Sequence, residues 1–132
     1  METAEIDRLI TSFFSAFNNK GSSEPALDAI HGYCIPEAII IRKSGSDQEI
    51  FTLDTFIAPR KTILTDGTLT DFSEWEVKSE TVVNRNIAQR RSEYEKTGTL
   101  NGNAFSERGT KMFHLIKTQA GWKIASVLWE DE

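Results

Sequence analysis

The sequence is poor in the residues that tie a chain together covalently or through a metal ion. Its 132 residues contain a single cysteine, Cys34, so no disulfide can form within the chain, and a zinc site built from several thiolates is excluded. The two histidines, His31 and His114, lie far apart and make no recognised metal-ligand spacing. We therefore expect no metal, no cofactor and a reducing compartment.

An excess of positive charge and long apolar runs are also missing. Fifteen Lys and Arg residues stand against twenty Asp and Glu residues, and the net charge of −5 disfavours binding to a nucleic-acid backbone. The acidic residues 1–5 do not resemble a signal peptide, and no apolar run reaches the length of a membrane span. These absences predict a soluble, cytoplasmic protein that binds neither nucleic acid nor a membrane.

The composition that remains fits one hydrophobic core. Hydrophobic residues make up 39% of the chain and charged residues 27%, which is usual for a globular protein. No linker, internal repeat or low-complexity segment interrupts the sequence. We predict a single domain that spans residues 1–132.

Three helices are predicted in the first half of the chain. The first is amphipathic, with apolar residues three, four and seven positions apart: Ile6, Leu9, Ile10, Phe13, Phe14 and Phe17. Residues 18–21 favour its end, and a shorter helix with Pro25 in its first turn follows. A third helix is predicted over 55–64, with Asp54 as its N-terminal cap.

Strands dominate the rest of the chain. A hairpin is predicted from strands near 38–42 and 49–52. Alternation of apolar and polar residues then predicts four long antiparallel strands, near 70–83, 87–98, 104–117 and 122–131. Strands of this length usually bend.

The faces of these strands differ along the sheet. On the strand that begins near Asp71, Trp75 and Val77 share one face and charged residues the other, which we expect to be wet. The last two strands are apolar on both faces. Their opposing sets are Met112, His114 and Ile116 against Phe113 and Leu115, and Trp122, Ile124 and Leu128 against Ala125, Val127 and Trp129.

Apolar residues on both faces require a cover on both sides of the sheet. The predicted helices can cover one side. We predict that a second copy of the chain covers the other, in a homodimer through the outer face of the C-terminal strands. The alternative is that the segment 53–67 wraps around to this face.

Several short segments follow one another in a recognisable order. They are Phe13, Phe14 and Phe17 on the first helix, residues 36–40, 88–91 and 108–110, and the ending Gly121-Trp122-Lys123-Ile124. With the order of the elements, they resemble the NTF2-like superfamily, particularly its SnoaL-like and ketosteroid-isomerase-like members, over nearly the whole chain. The resemblance implies an α+β fold in which N-terminal helices and a strongly curved, mixed, mostly antiparallel sheet form a cone-shaped pocket.

The sequence departs from the steroid-isomerase pattern at three places. The position that resembles the aspartate base carries Arg42 and Lys43. The buried acid that binds the enolate oxygen would fall near 110–112, where there is no acid, and the tyrosine of the first helix is replaced in the Phe13-Phe14 region. These departures argue against steroid isomerisation.

The predicted strand 87–98 carries the main candidate residues. Its face that we expect to point inward carries Ala88, Arg90, Ser92 and Tyr94. Arg90 and Tyr94, pointing into a partly apolar cavity, would orient an anionic or carbonyl ligand, with Arg90 binding it and Tyr94 catalytic. The alternative is that Arg90 or Arg91 pairs with Glu107 or Glu93 across the sheet.

Four further residues complete the candidate site. His114 is the best general-base candidate because imidazole titrates near neutral pH, although it could equally be a hydrogen-bonded core residue. Arg108 is a second candidate for ligand binding, and Trp75 and Trp129 would form an aromatic wall unless they belong to the core. The resulting hypothesis is a small-molecule-binding pocket, with or without catalysis, and the alternative is a non-catalytic homo-oligomerisation module.

Overall fold

The computed structural model describes residues 2–132, which form three α-helices and a six-stranded sheet. The helices are α1 (Glu2–Ser15), α2 (Ile30–Tyr33) and α3 (Leu53–Thr65). The strands are β1 (Cys34–Ser44), β2 (Asp47–Phe51), β3 (Leu69–Asn84), β4 (Ile87–Leu100), β5 (Asn103–Thr118) and β6 (Gly121–Asp131). The long strands β3 to β6 confirm the four predicted strands, each within a few residues.

The sheet has the order β2-β1-β6-β5-β4-β3. β1 and β6 are parallel, and every other neighbouring pair is antiparallel. β2 and β3 remain as the two edges, so the sheet formed by residues 2–132 is not closed into a barrel. The predicted α+β architecture with a mixed, mostly antiparallel sheet is confirmed.

Helix α1 lies on one face of the sheet, which we call the inner face. Its apolar stripe is buried as the spacing predicts, and the buried side chains include Ile6, Ile10, Phe13 and Phe14. The rings of Phe13 and Phe14 pack edge-on against Phe113 of β5, with centroids 5.5 and 6.1 Å away. Such aromatic pairs stabilise the contact beyond the area that they bury.

The two other helices differ in detail from the sequence prediction. α3 begins at Leu53 because Thr52, rather than Asp54, forms its capping box with Thr55. The helix continues through Pro59. Pro25 lies before a 3₁₀ turn, Leu27–Ala29, that leads into α2, and so it is outside the helix that it was expected to begin.

Asn19, in the segment after α1, connects α3 and β3 beside the inner face. Its side-chain amide donates to the carbonyls of Leu64 at 2.9 Å and Leu69 at 2.8 Å, and its Oδ1 accepts from the backbone N–H of Phe72 at 2.8 Å. Leu64 belongs to α3, whereas Leu69 and Phe72 belong to β3. This buried side chain therefore fixes where α3 ends relative to the start of β3.

The face assignment on β3 was reversed in the sequence prediction. Glu74 and Glu76 point inward, whereas Trp75 and Val77 are exposed on the outer face. The inward glutamates are stable there because each meets a buried cation, Lys111 for Glu74 and Arg90 for Glu76. The alternation of polar and apolar residues along β3 could not show that its glutamates pair with cations on other strands.

Among residues 2–132, no helix has both the length and the apolar character that are needed to cross a lipid bilayer.

Candidate ligand-binding cavity

A cavity of about 540 Å³ opens between α3 and the inner face of the sheet. Its mouth lies beside the β4–β5 turn, where Asn101 and Gly102 have φ of 50° and 83°, as a tight hairpin turn requires. The aromatic side chains that line it are Phe13, Phe17, Phe56, Phe72, Phe105 and Trp129, and the charged ones are Arg42, Arg60, Glu74, Lys96, Glu107 and Lys111. The volume and the mixed lining are typical of a small-molecule site.

A buried ion pair lies in the wall of this cavity. The Lys111 Nζ atom is 3.2 Å from the Glu74 Oε2 atom, and the two side chains are only 7% and 6% exposed. The ammonium also contacts the rings of Tyr94 and Trp129, whose centroids are 4.3 and 4.6 Å away. Burial lowers the pKa of Lys111 below that of an ordinary lysine, although Glu74 acts in the opposite direction.

A second set of polar groups adjoins this pair. The hydroxyl of Tyr94 donates to Asp131, and Lys96 Nζ lies 3.0 Å from the same carboxylate. Burial alone would raise the pKa of Asp131, but the Tyr94 hydrogen bond and the Lys96 charge outweigh it and lower this pKa. Burial and the Asp131 carboxylate together raise the pKa of Tyr94, which therefore stays protonated. We call Glu74, Lys111, Tyr94, Lys96 and Asp131 the cavity cluster.

Arg60 on α3 differs from the other cations of the cavity because its one hydrogen-bond partner is a backbone carbonyl. Its guanidinium lies over the rings of Phe56 at 4.0 Å and Trp129 at 5.7 Å, and donates to the Phe56 carbonyl at 3.1 Å. No carboxylate of residues 3–132 forms an ion pair with it. Burial and the nearby Arg42 lower the pKa of Arg60 to about 10, so the guanidinium is charged at neutral pH.

A second buried polar group, outside the cavity, involves Arg90. The guanidinium donates to both carboxylate oxygens of Glu76, to Asp7 of α1 and to Thr81, and Ser92 also donates to Glu76. Arg90 is 3% exposed and Glu76 16%. We call these five residues the helix-covered cluster, because Asp7 of α1 closes it. Its hydrogen bonds leave no access for a ligand.

The predicted site residues on β4 and β6 are indeed on the inner face, but they do not form one site. Trp129 lines the cavity, and Tyr94 lies behind its wall in the cavity cluster. Arg90 belongs to the helix-covered cluster instead. Arg91 pairs with Glu93 at 3.0 Å, but the two residues lie two positions apart on β4, so this is not the cross-strand pairing that was expected as the alternative.

The remaining three predicted site residues lie on the outer face, which corrects their expected position. His114 is exposed and hydrogen-bonds Ser126 at 3.1 Å, Arg108 pairs with Glu132 at 3.4 Å, and Trp75 is 39% exposed. His114 and Arg108 share the parity of Met112 on β5, and side chains of one parity point to one face of a strand. None of the three lines the cavity under α3.

Three charged residues of the cavity were missed by the sequence analysis. Lys111 has the same parity on β5 as the buried Phe113, so an apolar face interrupted by a lysine was a signal that could have been used. Glu74 is the partner that this lysine requires. Arg60 had no comparable signal, because its environment is formed by rings that come from three separate elements.

Metal ligands and thiols are two further kinds of reactive side chain. Among residues 3–132, no three His, Cys, Asp or Glu side chains converge in a way that could hold a metal ion. Cys34 is buried, and burial raises the pKa of its thiol to about 12. The chemistry that the cavity offers is therefore that of its amine, carboxylate, phenol and guanidinium groups.

Comparison with known proteins identifies the fold. No protein-family model matches the chain, and no curated protein matches its sequence. Among solved structures, it is similar to an NTF2-like superfamily protein from Salmonella enterica serovar Typhimurium, with a TM-score of 0.78 and 16% identity over 97% of this chain and 89% of that chain. This confirms that the chain has the NTF2-like fold.

Other similar structures have different names. One, from Exiguobacterium sibiricum, is proposed to be a calcium/calmodulin-dependent kinase II association domain, with a TM-score of 0.74 and 11% identity over 98% of this chain and 92% of that chain. Another, from Novosphingobium aromaticivorans, is proposed to be an aromatic ring hydroxylase, with a TM-score of 0.72 and 15% identity over 95% and 85%. At these identities the similarity establishes the fold, and function has to be argued from the site.

Proposed function

We propose that this protein binds a small molecule with an apolar body and a carboxylate group in the cavity under α3. The observation that carries the proposal is Arg60, a half-buried guanidinium in the cavity wall that has no carboxylate partner among residues 3–132. A guanidinium in an apolar site gains most from an anion that can accept two of its hydrogen bonds. A ligand carboxylate supplies that anion.

The charge balance of the cavity supports this proposal. The side chains that line it include four basic and two acidic residues, although the chain as a whole carries a net charge of −5. A locally positive cavity in an acidic protein favours anionic ligands over cationic ones. The aromatic lining supplies the apolar surface against which a hydrocarbon or aromatic body can pack.

The test compares two probes that differ only in the carboxylate. We expect 4-phenylbutanoate to bind with a measurable heat in calorimetry, and 4-phenylbutan-1-ol to bind at least about tenfold more weakly, since a charged hydrogen bond contributes about 1.5–3 kcal/mol. In Arg60→Gln the acid should bind only as weakly as the alcohol. Arg91→Gln, which removes an exposed guanidinium on the outer face, is the control and should bind like the unaltered chain.

Two results would contradict the proposal. One is equal affinity of the acid for the unaltered chain and for Arg60→Gln. The other is the absence of binding of either probe to the folded protein. Circular dichroism of both variants establishes that the comparison is made between folded chains.

A second candidate function is self-association through the outer face of the sheet. Ile50, Ile41, Leu128 and Met112 stand directly opposite one another on β2, β1, β6 and β5, and we call them the outer apolar row. Ile50 and Met112 are 68% and 53% exposed. An uncharged row across four strands is unusual for a face that meets only water.

A second copy of this chain is the partner that we propose for the row. The adjoining positions carry Lys43 and Glu130, which are register partners of opposite charge. In a two-fold contact, residue i of one copy can meet residue j of the other and the reverse, so Lys43 of one copy can meet Glu130 of its partner. We expect a dimer in native mass spectrometry and a monomer for Met112→Glu. Ser106→Glu, on the same face of β5, is the control, and a monomeric unaltered chain would contradict this candidate.

A further inference from the structure

The position of the Lys111 amine in the cavity wall allows it to react with a ligand as well as to stabilise the fold. It lies in the cavity wall among the rings of Tyr94, Trp129 and Phe14, with a carboxylate 3.2 Å away. A buried amine beside a proton acceptor can lose its proton and attack an electrophilic carbon. Nothing in the helix-covered cluster is comparable, because its cation is a guanidinium, which stays protonated.

Lys111 and Arg60 can also act on the same molecule. The Lys111 Nζ atom and the Arg60 guanidinium carbon lie 4.6 and 5.7 Å from the centroid of one ring system, that of Trp129. Both side chains line the same cavity. A molecule of modest length that packs on this indole can therefore reach both cations.

We propose that Lys111 forms an imine with the carbonyl carbon of an apolar oxo acid whose carboxylate binds Arg60. This inference rests on the proposed function and adds to it the ligand class, an oxo acid, and a covalent step. Arg60 binds the carboxylate of the ligand, and the aromatic side chains of the cavity pack against its apolar body. The carbonyl carbon is then the part of the ligand that contacts the Lys111 amine.

The step balances without an oxidant or a reductant. Glu74 takes the proton of the Lys111 ammonium, and the free amine forms a C–N bond as the carbonyl π bond opens. A proton then passes from the nitrogen to the alkoxide oxygen, which gives a carbinolamine. Glu74 then returns the proton to the hydroxyl group, which leaves as water while the C=N bond forms. Burial, which lowers the pKa of Lys111, increases the fraction of free amine at neutral pH.

The groups around the amine agree with this assignment of roles. Glu74 on β3 is the nearest carboxylate, whereas Asp131 on β6 is already occupied by Tyr94 and Lys96. The charge of Lys96 adds to the lowering of the Lys111 pKa, and the negative charges of Glu74 and Asp131 oppose it. Glu74 is therefore the one carboxylate of residues 3–132 that forms an ion pair with Lys111.

Reductive trapping tests the inference. The folded protein is incubated with 2-oxo-4-phenylbutanoate and cyanoborohydride, and its mass is measured. We expect one adduct per chain, with a mass gain equal to that of the acid less one oxygen atom, and we expect peptide mapping to place it on Lys111. Lys111→Arg keeps the charge and should give no adduct, whereas Lys78→Arg, a substitution at an exposed lysine on β3, should react like the unaltered chain.

Mapping of the unaltered chain decides the question even if Lys111→Arg does not fold. An adduct spread over exposed lysines, or no adduct, overturns the inference. The probe 4-phenylbutanoate, which lacks a keto group, distinguishes a failure of imine formation from a failure of the proposed function. If it binds in an Arg60-dependent way but the oxo acid leaves no adduct, imine formation alone is refuted. If neither compound binds, both proposals fail.

Discussion

The inner face of the sheet carries two buried charge clusters that differ in how completely they are enclosed. In the helix-covered cluster, Arg90 has two carboxylate partners, and a helix closes the site. In the cavity cluster, the pair of Lys111 and Glu74 is at least as deeply buried, but it borders an open cavity of about 540 Å³. The two clusters begin only two residues apart on β3, at Glu76 and Glu74.

This difference separates a structural use of buried charge from a chemical use. The Arg90 guanidinium makes four hydrogen bonds to protein acceptors, so it fixes the contact between α1 and the sheet and has little left to offer a ligand. The Lys111 amine has one carboxylate partner and borders a cavity, so it can react with a bound ligand. Substitutions should therefore affect stability in the first cluster and ligand chemistry in the second.

The largest effect on stability is expected from Arg90→Met. Glu76 would remain buried without a cation, and breaking a buried pair in this way typically lowers the free energy of unfolding by about 3–5 kcal/mol. Urea denaturation of both chains measures the loss. Molecules that remain folded should bind 4-phenylbutanoate as the unaltered chain does, and a selective loss of binding would show that this cluster also serves the cavity.

A smaller effect is expected from Gly109→Ala. A Cβ atom at this position would meet the hydroxyl of Tyr94 and lie 2.5 Å from the Glu130 carbonyl, so Tyr94 would have to move away from Asp131. Overpacking of this kind lowers the free energy of unfolding by about 1–3 kcal/mol.

Thermal denaturation measures the effect of Gly109→Ala, and Gly32→Ala is the matched control. A Cβ atom at Gly32 meets no atom within 4 Å, and its φ is not in the left-handed region. Equal stability of the two variants would contradict the close packing of Tyr94 against Gly109.

The third prediction concerns acid pH. Because the pKa of Asp131 is lowered in the folded chain, its contribution to stability is present above the ordinary carboxyl pKa and is lost as pH falls through the folded value. Asp131→Asn should therefore be less stable at pH 7, by about 1–2 kcal/mol, with a difference that shrinks in acid. Urea unfolding of both chains across a pH series measures this, and a difference that is constant with pH would contradict it.

The smallest net effect on stability is expected from replacing the Lys111 and Glu74 pair as a whole. Apolar residues of similar volume often substitute for a buried ion pair with little change or a small gain, so Glu74→Leu combined with Lys111→Met should lie within about 1 kcal/mol of the unaltered chain. Imine trapping should nevertheless be abolished. Chemical denaturation and trapping on the same samples compare the two effects, and a large loss of stability would mean that the pair serves mainly to hold the fold.

Much of the fold could be predicted from local pattern. The apolar stripe from Ile6 to Phe17 specifies α1, and alternation specifies the long strands β3 to β6. The beginning of α3 was misplaced by two residues, because Thr52 competes with Asp54 as a cap and only the hydrogen bonds to Thr55 distinguish them.

The candidate site was much harder to predict. Parity correctly directed Arg90 and Tyr94 inward, but it could not reveal that α1 brings Asp7 to Arg90 and closes that region. The sequence analysis placed His114 among the pocket residues, because the sequence does not indicate which of the two apolar faces of β5 the helices cover. The Glu74 and Lys111 pair depends on strands that are separated by β4.

The amino-acid order alone determined the element types and the alternation of side chains on each strand, because both follow from the periods of helices and strands. Tertiary structure decided which face became the interior and which charges met there. The physical reason is that a buried carboxylate such as Glu74 is stable only when a cation from another strand, here Lys111, is brought to it. That encounter is a property of the assembled sheet and of the helix that covers it.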